Sequence, residues 1–149
     1  MARFIFSMQN LLDMKEKLEE QEKNNYSRAN LRLLEAEEEW EMLKGRQRAA
    51  EEELREEMEA VLDLEKIRER KEAVEILKMY VRQQELVVRQ REKEVEVARR
   101  RLNEAMIERK TFEKLREKAY AAFLEEENQK ERKEVDELVS YRYGGRVSK

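Results

Sequence analysis

The spacing that most constrains this chain lies between residues 67 and 102, where Ile67, Val74, Val81, Val88, Val95 and Leu102 recur every seven residues. Leu77, Gln84, Arg91, Ala98 and Ala105 follow members of that series by three residues, so the pattern alternates three and four. On a helix this spacing gathers one narrow apolar stripe, the seam of a coiled coil. A strict seven-residue repeat sustained over this length implies a left-handed supercoil. Such a stripe has to be covered by another helix, because water does not leave it exposed cheaply.

A second series upstream supplies the cover: Leu33, Ala36, Trp40, Leu43, Gln47, Ala50 and Leu54. The two stripes meet out of phase between Leu54 and Ile67, across Met58, Val61, Leu62, Asp63 and Leu64. Asp63 is a suitable helix N-cap, and Glu65 suits the positive first turn of a new helix. A reversal there sets Leu54 opposite Ile67, Trp40 opposite Val81, Leu33 opposite Val88 and Leu18 opposite Leu102. Met8 then falls near Phe112, and Phe4 near Leu115.

The predicted fold is all-α: a long two-helix antiparallel coiled-coil hairpin with an overhanging C-terminal helix. It is expected to be a single coiled-coil unit over residues 1–149. Helix one spans about 4–58, the turn about 59–63, helix two about 64–141, and a frayed tail 142–149. The early start follows the spacing Phe4, Met8, Leu11 and Leu18, and the stop follows Gly144-Gly145, where glycine supplies a left-handed cap. Gly45 inside helix one costs about 1 kcal/mol relative to alanine, too little to end it. One alternative stays open on periodicity: a structural parallel coiled-coil dimer built on one continuous helix.

Composition agrees with helix and argues against a globular core. Asp, Glu, Lys and Arg make up 46% of the 149 residues, proline is absent, and Gly45 is the sole glycine before Gly144. The segment up to Val61 is net acidic and the remainder net basic, which favours the two lying together although exposed pairs contribute little singly. No cysteine or histidine is present, which removes the commonest metal ligands, thiol chemistry and the usual general base. There is no glycine-rich phosphate loop, and carboxylate runs such as Glu37 to Glu39 and Glu51 to Glu53 read as solvated helix faces. The expectation is a protein-binding chain rather than an enzyme, with no cofactor, metal or small-molecule substrate. Phe4 to Leu12 is too short to span a bilayer, which needs roughly 20 apolar residues, so the reading is a soluble intracellular chain.

Three groups of residues stand out. Tyr120, Phe123 and Leu124 lie on the expected overhang as unpaired apolar surface, a candidate partner site. Arg99-Arg100-Arg101, with Lys93 nearby, is the basic cluster on which an RNA-binding alternative rests; Glu96 and Arg100, spaced i,i+4, reduce it to an ordinary helix pair. Arg91 and Arg109 sit on the seam itself, where a charge lowers stability and sets register.

Two stretches at the ends resemble the flagellar FliJ family: Arg3-Phe4-Ile5-Phe6-Ser7-Met8-Gln9-Asn10-Leu11-Leu12, and Lys110-Thr111-Phe112-Glu113-Lys114-Leu115-Arg116-Glu117-Lys118 followed by Glu134-Val135-Asp136-Glu137. The resemblance implies a two-helix antiparallel coiled coil similar to the central stalk of rotary ATP synthases. It also implies a component of the flagellar type III export apparatus that binds the export ATPase FliI, promotes its ring assembly and links the ring to the export gate protein FlhA. A role as general chaperone, or in recycling export chaperones, is implied with it. The expected place is cytoplasmic, peripherally associated with the inner face of the cell membrane at the flagellar base. The stalk analogy places Phe4, Phe6, Met8, Phe112, Leu115, Tyr120, Phe123 and Leu124 at the ATPase ring. The family's gate contact corresponds here to Ala73, Leu77, Tyr80 and Gln84, of which Leu77 fits the pattern and Ala73 replaces a bulkier residue.

Overall fold

A computed structural model describes residues 2–147, with side chains through Gly144. Two helices make up the fold, α1 over Gln9–Glu59 and α2 over Leu64–Val147, and no strand occurs among the described residues. They pack against each other as an antiparallel all-α hairpin. The chain divides into two compact units, Met1–Glu20 with Glu104–Lys149 (unit 1) and Gln21–Asn103 (unit 2).

The reversal between the helices needs neither glycine nor proline. The Asp63 carboxylate accepts from the backbone N–H of Glu65 (3.2 Å) and Lys66 (3.4 Å), and the Asp63 carbonyl accepts from Ile67 N–H at 3.0 Å. These bonds satisfy donors that the first turn of α2 leaves open. Val61 and Leu62 occupy the tip and are exposed.

Within unit 2 the seam is narrow and made of small residues. Ala36, Leu43 and Ala50 of α1 are buried, as are Ile67, Val74, Val88 and Ala98 of α2. Trp40 is half-buried, with Lys44 Nζ 3.3 Å from its ring centroid, a cation–π contact that suits the electron-rich indole face. Arg70 bonds Glu53 across the seam at 2.9 Å, and Gln84 Nε2 donates to the Ala36 carbonyl at 3.0 Å. These contacts lie close to the register that sets Leu54 against Ile67 and Leu33 against Val88.

Gly45 is an interior helical residue, and a Cβ built on it would meet nothing within 4 Å. Gly45→Ala is therefore expected to stabilise unit 2 by about 0.5–1 kcal/mol, read from thermal melts. The gain comes from the unfolded chain, which loses conformational freedom, and not from a new contact.

Three expectations are corrected. Helix α1 begins at Gln9 rather than near residue 4: Gln9 N–H bonds the Phe6 carbonyl at 3.1 Å, and Phe4 to Phe6 precede the helix with Phe6 buried. An extended segment covers more than twice the distance per residue of a helix, so Phe4 reaches Tyr120 and Phe123 instead of Leu115. The seam at that end runs through Leu12, Lys15 and Glu19, not Leu11 and Leu18, which are 43% and 38% exposed. The three-and-four series carried back from Leu33 through Ala29, Tyr26 and Glu22 arrives at those positions, and its charged members hide it from an apolar count. Finally, α2 does not stop at Gly144: it continues to Val147, and no described glycine has positive φ. Glycine permits a left-handed stop without forcing one, and no packing partner there requires the chain to turn. The remainder of the expected frayed tail, Ser148 and Lys149, lies outside the described residues.

Candidate functional site

The end of unit 1 is built from the pre-helical segment laid against α2. Phe4 makes an edge-on contact with Tyr120 (centroids 5.1 Å, interplanar angle 69°) and a tilted one with Phe123 at 5.5 Å. Tyr120 and Phe123 stack on each other at 6.4 Å. Arg116 closes the cluster: its guanidinium sits 5.6 Å from the Phe4 ring centroid, and its Nε donates to Gln9 Oε1 at 3.0 Å. Edge and tilted ring pairs of this kind add to simple area burial, and the guanidinium favours the ring face.

This arrangement gathers Phe4, Tyr120 and Phe123 from the eight residues expected at the ATPase end, and it places the others differently. Phe6 is buried, Met8 and Phe112 are half-buried, and Lys15 Nζ lies 6.0 Å from the Phe112 centroid. Leu115 and Leu124 are exposed. Tyr120 stays exposed as the sequence pattern predicts, but it is not bare: Phe4 of the N-terminal segment packs against it and against Phe123, which is half-buried. Uncovered apolar side chains lie further along α2 instead, at Val135, Leu138, Val139, Tyr141 and Tyr143.

Beneath the cluster lies a pair that the sequence reading only half identified. Arg109 donates from Nε and Nη2 to the two oxygens of Glu19, and from Nη1 to Glu113 at 3.0 Å. Glu19 is only 6% exposed. Its hydrogen bonds, then those of Glu113, hold the Arg109 guanidinium protonated even more firmly than usual. Arg109 stood out on the seam from spacing alone; the missing signal was an acid on the facing series, and Glu19 is that acid.

The four residues aligned with a gate contact do not share one surface. Leu77 and Gln84 turn toward α1, Gln84 through its bond to Ala36, whereas Ala73 and Tyr80 face outward. The basic cluster is also partly tied down. Arg99 bonds both oxygens of Glu96 (2.6 and 3.1 Å), an i,i+3 pair in place of the expected i,i+4 pair with Arg100. The Arg99 hydrogen bond draws the Glu96 carboxyl below its ordinary range. Among the described residues no group of acidic side chains is placed to hold a metal ion, and no helix is long and apolar enough to cross a membrane.

Compared with known families, the chain matches the one described as "Flagellar FliJ protein" over residues 4–148. The comparisons with curated proteins and with solved structures return no significant match.

Proposed function

That the chain belongs to the flagellar FliJ family, a component of the flagellar export apparatus, is the premise from which we propose that the aromatic end of unit 1 docks on the export ATPase FliI. Docking there promotes ring assembly, and a second surface on α2 engages the gate protein FlhA. An escort role toward export chaperones fits the same position in the pathway. Peripheral attachment to the membrane at the flagellar base then comes through the partners, without a spanning helix.

The observation that carries this reading is the Phe4–Tyr120–Phe123 cluster with Arg116 across it. Aromatic and arginine side chains are the residue types that dominate protein interfaces when they meet a pocket. Here they are ordered before any partner arrives, so little side-chain freedom remains to be lost on binding. Tyr120 stays 46% exposed within the cluster, which leaves a face for the partner. Beyond the charged stretch 125–134, α2 also exposes Val135, Leu138 and Val139.

A Tyr120→Ala/Phe123→Ala variant is expected to keep its helicity, because both positions lie on a continuous helix with small residues tolerated. Its stimulation of FliI ATPase activity is expected to fall about tenfold at a fixed sub-saturating concentration. Full stimulation by a variant that remains helical would remove this end of the molecule from the interface.

A further inference from the structure

Arg116 is held differently from the other arginines that bond a side chain among the described residues. Arg55, Arg70, Arg89, Arg91, Arg99 and Arg109 each bond a glutamate. Arg116 bonds an uncharged amide instead: its Nε donates to Gln9 Oε1 at 3.0 Å, and Gln9 Nε2 donates to Asp13 Oδ1 at 3.0 Å. Both ends of the Gln9 amide are engaged, which fixes its orientation and aims the guanidinium. The Phe4 ring, with its centroid 5.6 Å from the guanidinium carbon, supports it from another side.

Among the described residues Nε is the one atom of that guanidinium in a hydrogen bond, so Nη1 and Nη2 stay open to a ligand. The side chain is exposed. The one acid a helical turn away, Glu113, is engaged by Arg109 Nη1 at 3.0 Å. A glutamate at position 9 would suit the positive start of α1 and would pair with Arg116 directly. Glutamine orders the guanidinium and leaves its charge unpaired.

We infer that Arg116 is the recognition arginine of this end, its open Nη1 and Nη2 taking a carboxylate side chain of FliI in a forked pair of hydrogen bonds. The inference rests on the reading that this end docks on the export ATPase. A planar guanidinium presents parallel donors that match the two oxygens of a carboxylate. Asp13, bonded to Gln9, and Glu113, one turn back, add negative charge around the site. That favours a singly charged carboxylate over a phosphate dianion. Tyr120, the next turn along α2, supplies exposed aromatic surface beside the pair, of the kind that shields an interfacial arginine from water. The cation is ordered in advance, so little of its freedom remains to be lost on binding.

The test measures stimulation of FliI ATPase activity against the concentration of the full chain, with helicity and melting followed by circular dichroism. Arg116→Met should raise the concentration for half-maximal stimulation about tenfold and leave the maximal rate and helicity unchanged. Gln9→Glu should raise it at least about threefold while melting no lower than the parent chain, because it pairs the cation within the chain. A merely structural role for Gln9 predicts no such separation of stability from potency. Added salt should weaken the parent chain more than Arg116→Met. In Arg116→Lys, a water-soluble carbodiimide should join the new amine at position 116 to an aspartate or glutamate of FliI, identified by mass spectrometry. Unchanged potency in Arg116→Met, or no link at position 116, overturns the inference. If Tyr120→Ala/Phe123→Ala still loses stimulation in that case, the docking reading survives without it; if that variant is fully active, both fall.

Discussion

Val88→Asp is expected to melt unit 2 at a temperature lower by roughly 10–20 °C, with a visible loss of helicity at room temperature. Val88 is 1% exposed, the one large side chain that is fully buried among the described residues. Removing it forfeits the burial of a valine, about 1.5–3 kcal/mol. The carboxylate that replaces it is taken out of water on the seam, where Arg91 one turn on is already bonded to Glu94, and it must either stay desolvated or pull the helices apart, so the total comes to about 4–5 kcal/mol. That is a large share of the stability of an ordinary domain, roughly 5–15 kcal/mol. The surrounding seam has little to offer in compensation, since Ala36, Ala50 and Ala98 are among its buried residues. Val88→Ala should cost much less, because it leaves only a small cavity in a seam open to solvent on both sides. Equal melting of Val88→Asp and the parent chain would mean that the helices are held by something other than their apolar line.

How much of this was legible in the sequence depends on where apolar residues carry the pattern alone. From Ile67 to Leu102 the heptad is nearly pure, so the seam, its burial and the antiparallel partner series could be read directly. Asp63 was legible for a different reason: an acidic cap just ahead of an acidic first turn has one physical use. The N-terminal end was not legible, because two of its seam positions are Lys15 and Glu19 while the more conspicuous Leu11 and Leu18 face water. An apolar count follows the leucines; the true line follows a continuous phase. Nor does local propensity reveal that Phe4 to Phe6 leave the helix, since the gain lies in ring contacts with Tyr120 and Phe123 more than a hundred residues away. The clustering of Phe4, Tyr120 and Phe123 was therefore partly anticipated in its members and missed in its construction.

Arg109→Ala is expected to lower the melting temperature of unit 1 by roughly 5–10 °C, the second largest effect of a single change. The cause is not the loss of an attraction as such. Glu19 would remain almost fully buried with both of its Arg109 donors gone, and a buried carboxylate that loses a forked pair of donors destabilises the packing around it. Glu113 would also lose its bond, although it is more open to solvent and contributes less. Arg109→Lys should recover only part of the loss, because an ammonium cannot present the forked pair of donors that reaches both Glu19 oxygens. The decisive comparison is the Glu19→Leu/Arg109→Leu double variant. Replacing both charges by apolar side chains completes the seam rather than breaking it, so this variant should melt at or above the temperature of the parent chain. If so, the buried pair does not exist for stability. It then fixes which residues of α1 and α2 face each other in a stretch where Leu11 and Leu18 offer a competing apolar line. The double variant should accordingly show a second population in cross-linking between the N-terminal segment and the residues around Tyr120. A double variant that melts as low as Arg109→Ala would instead mean that the charged pair contributes net stability where it stands.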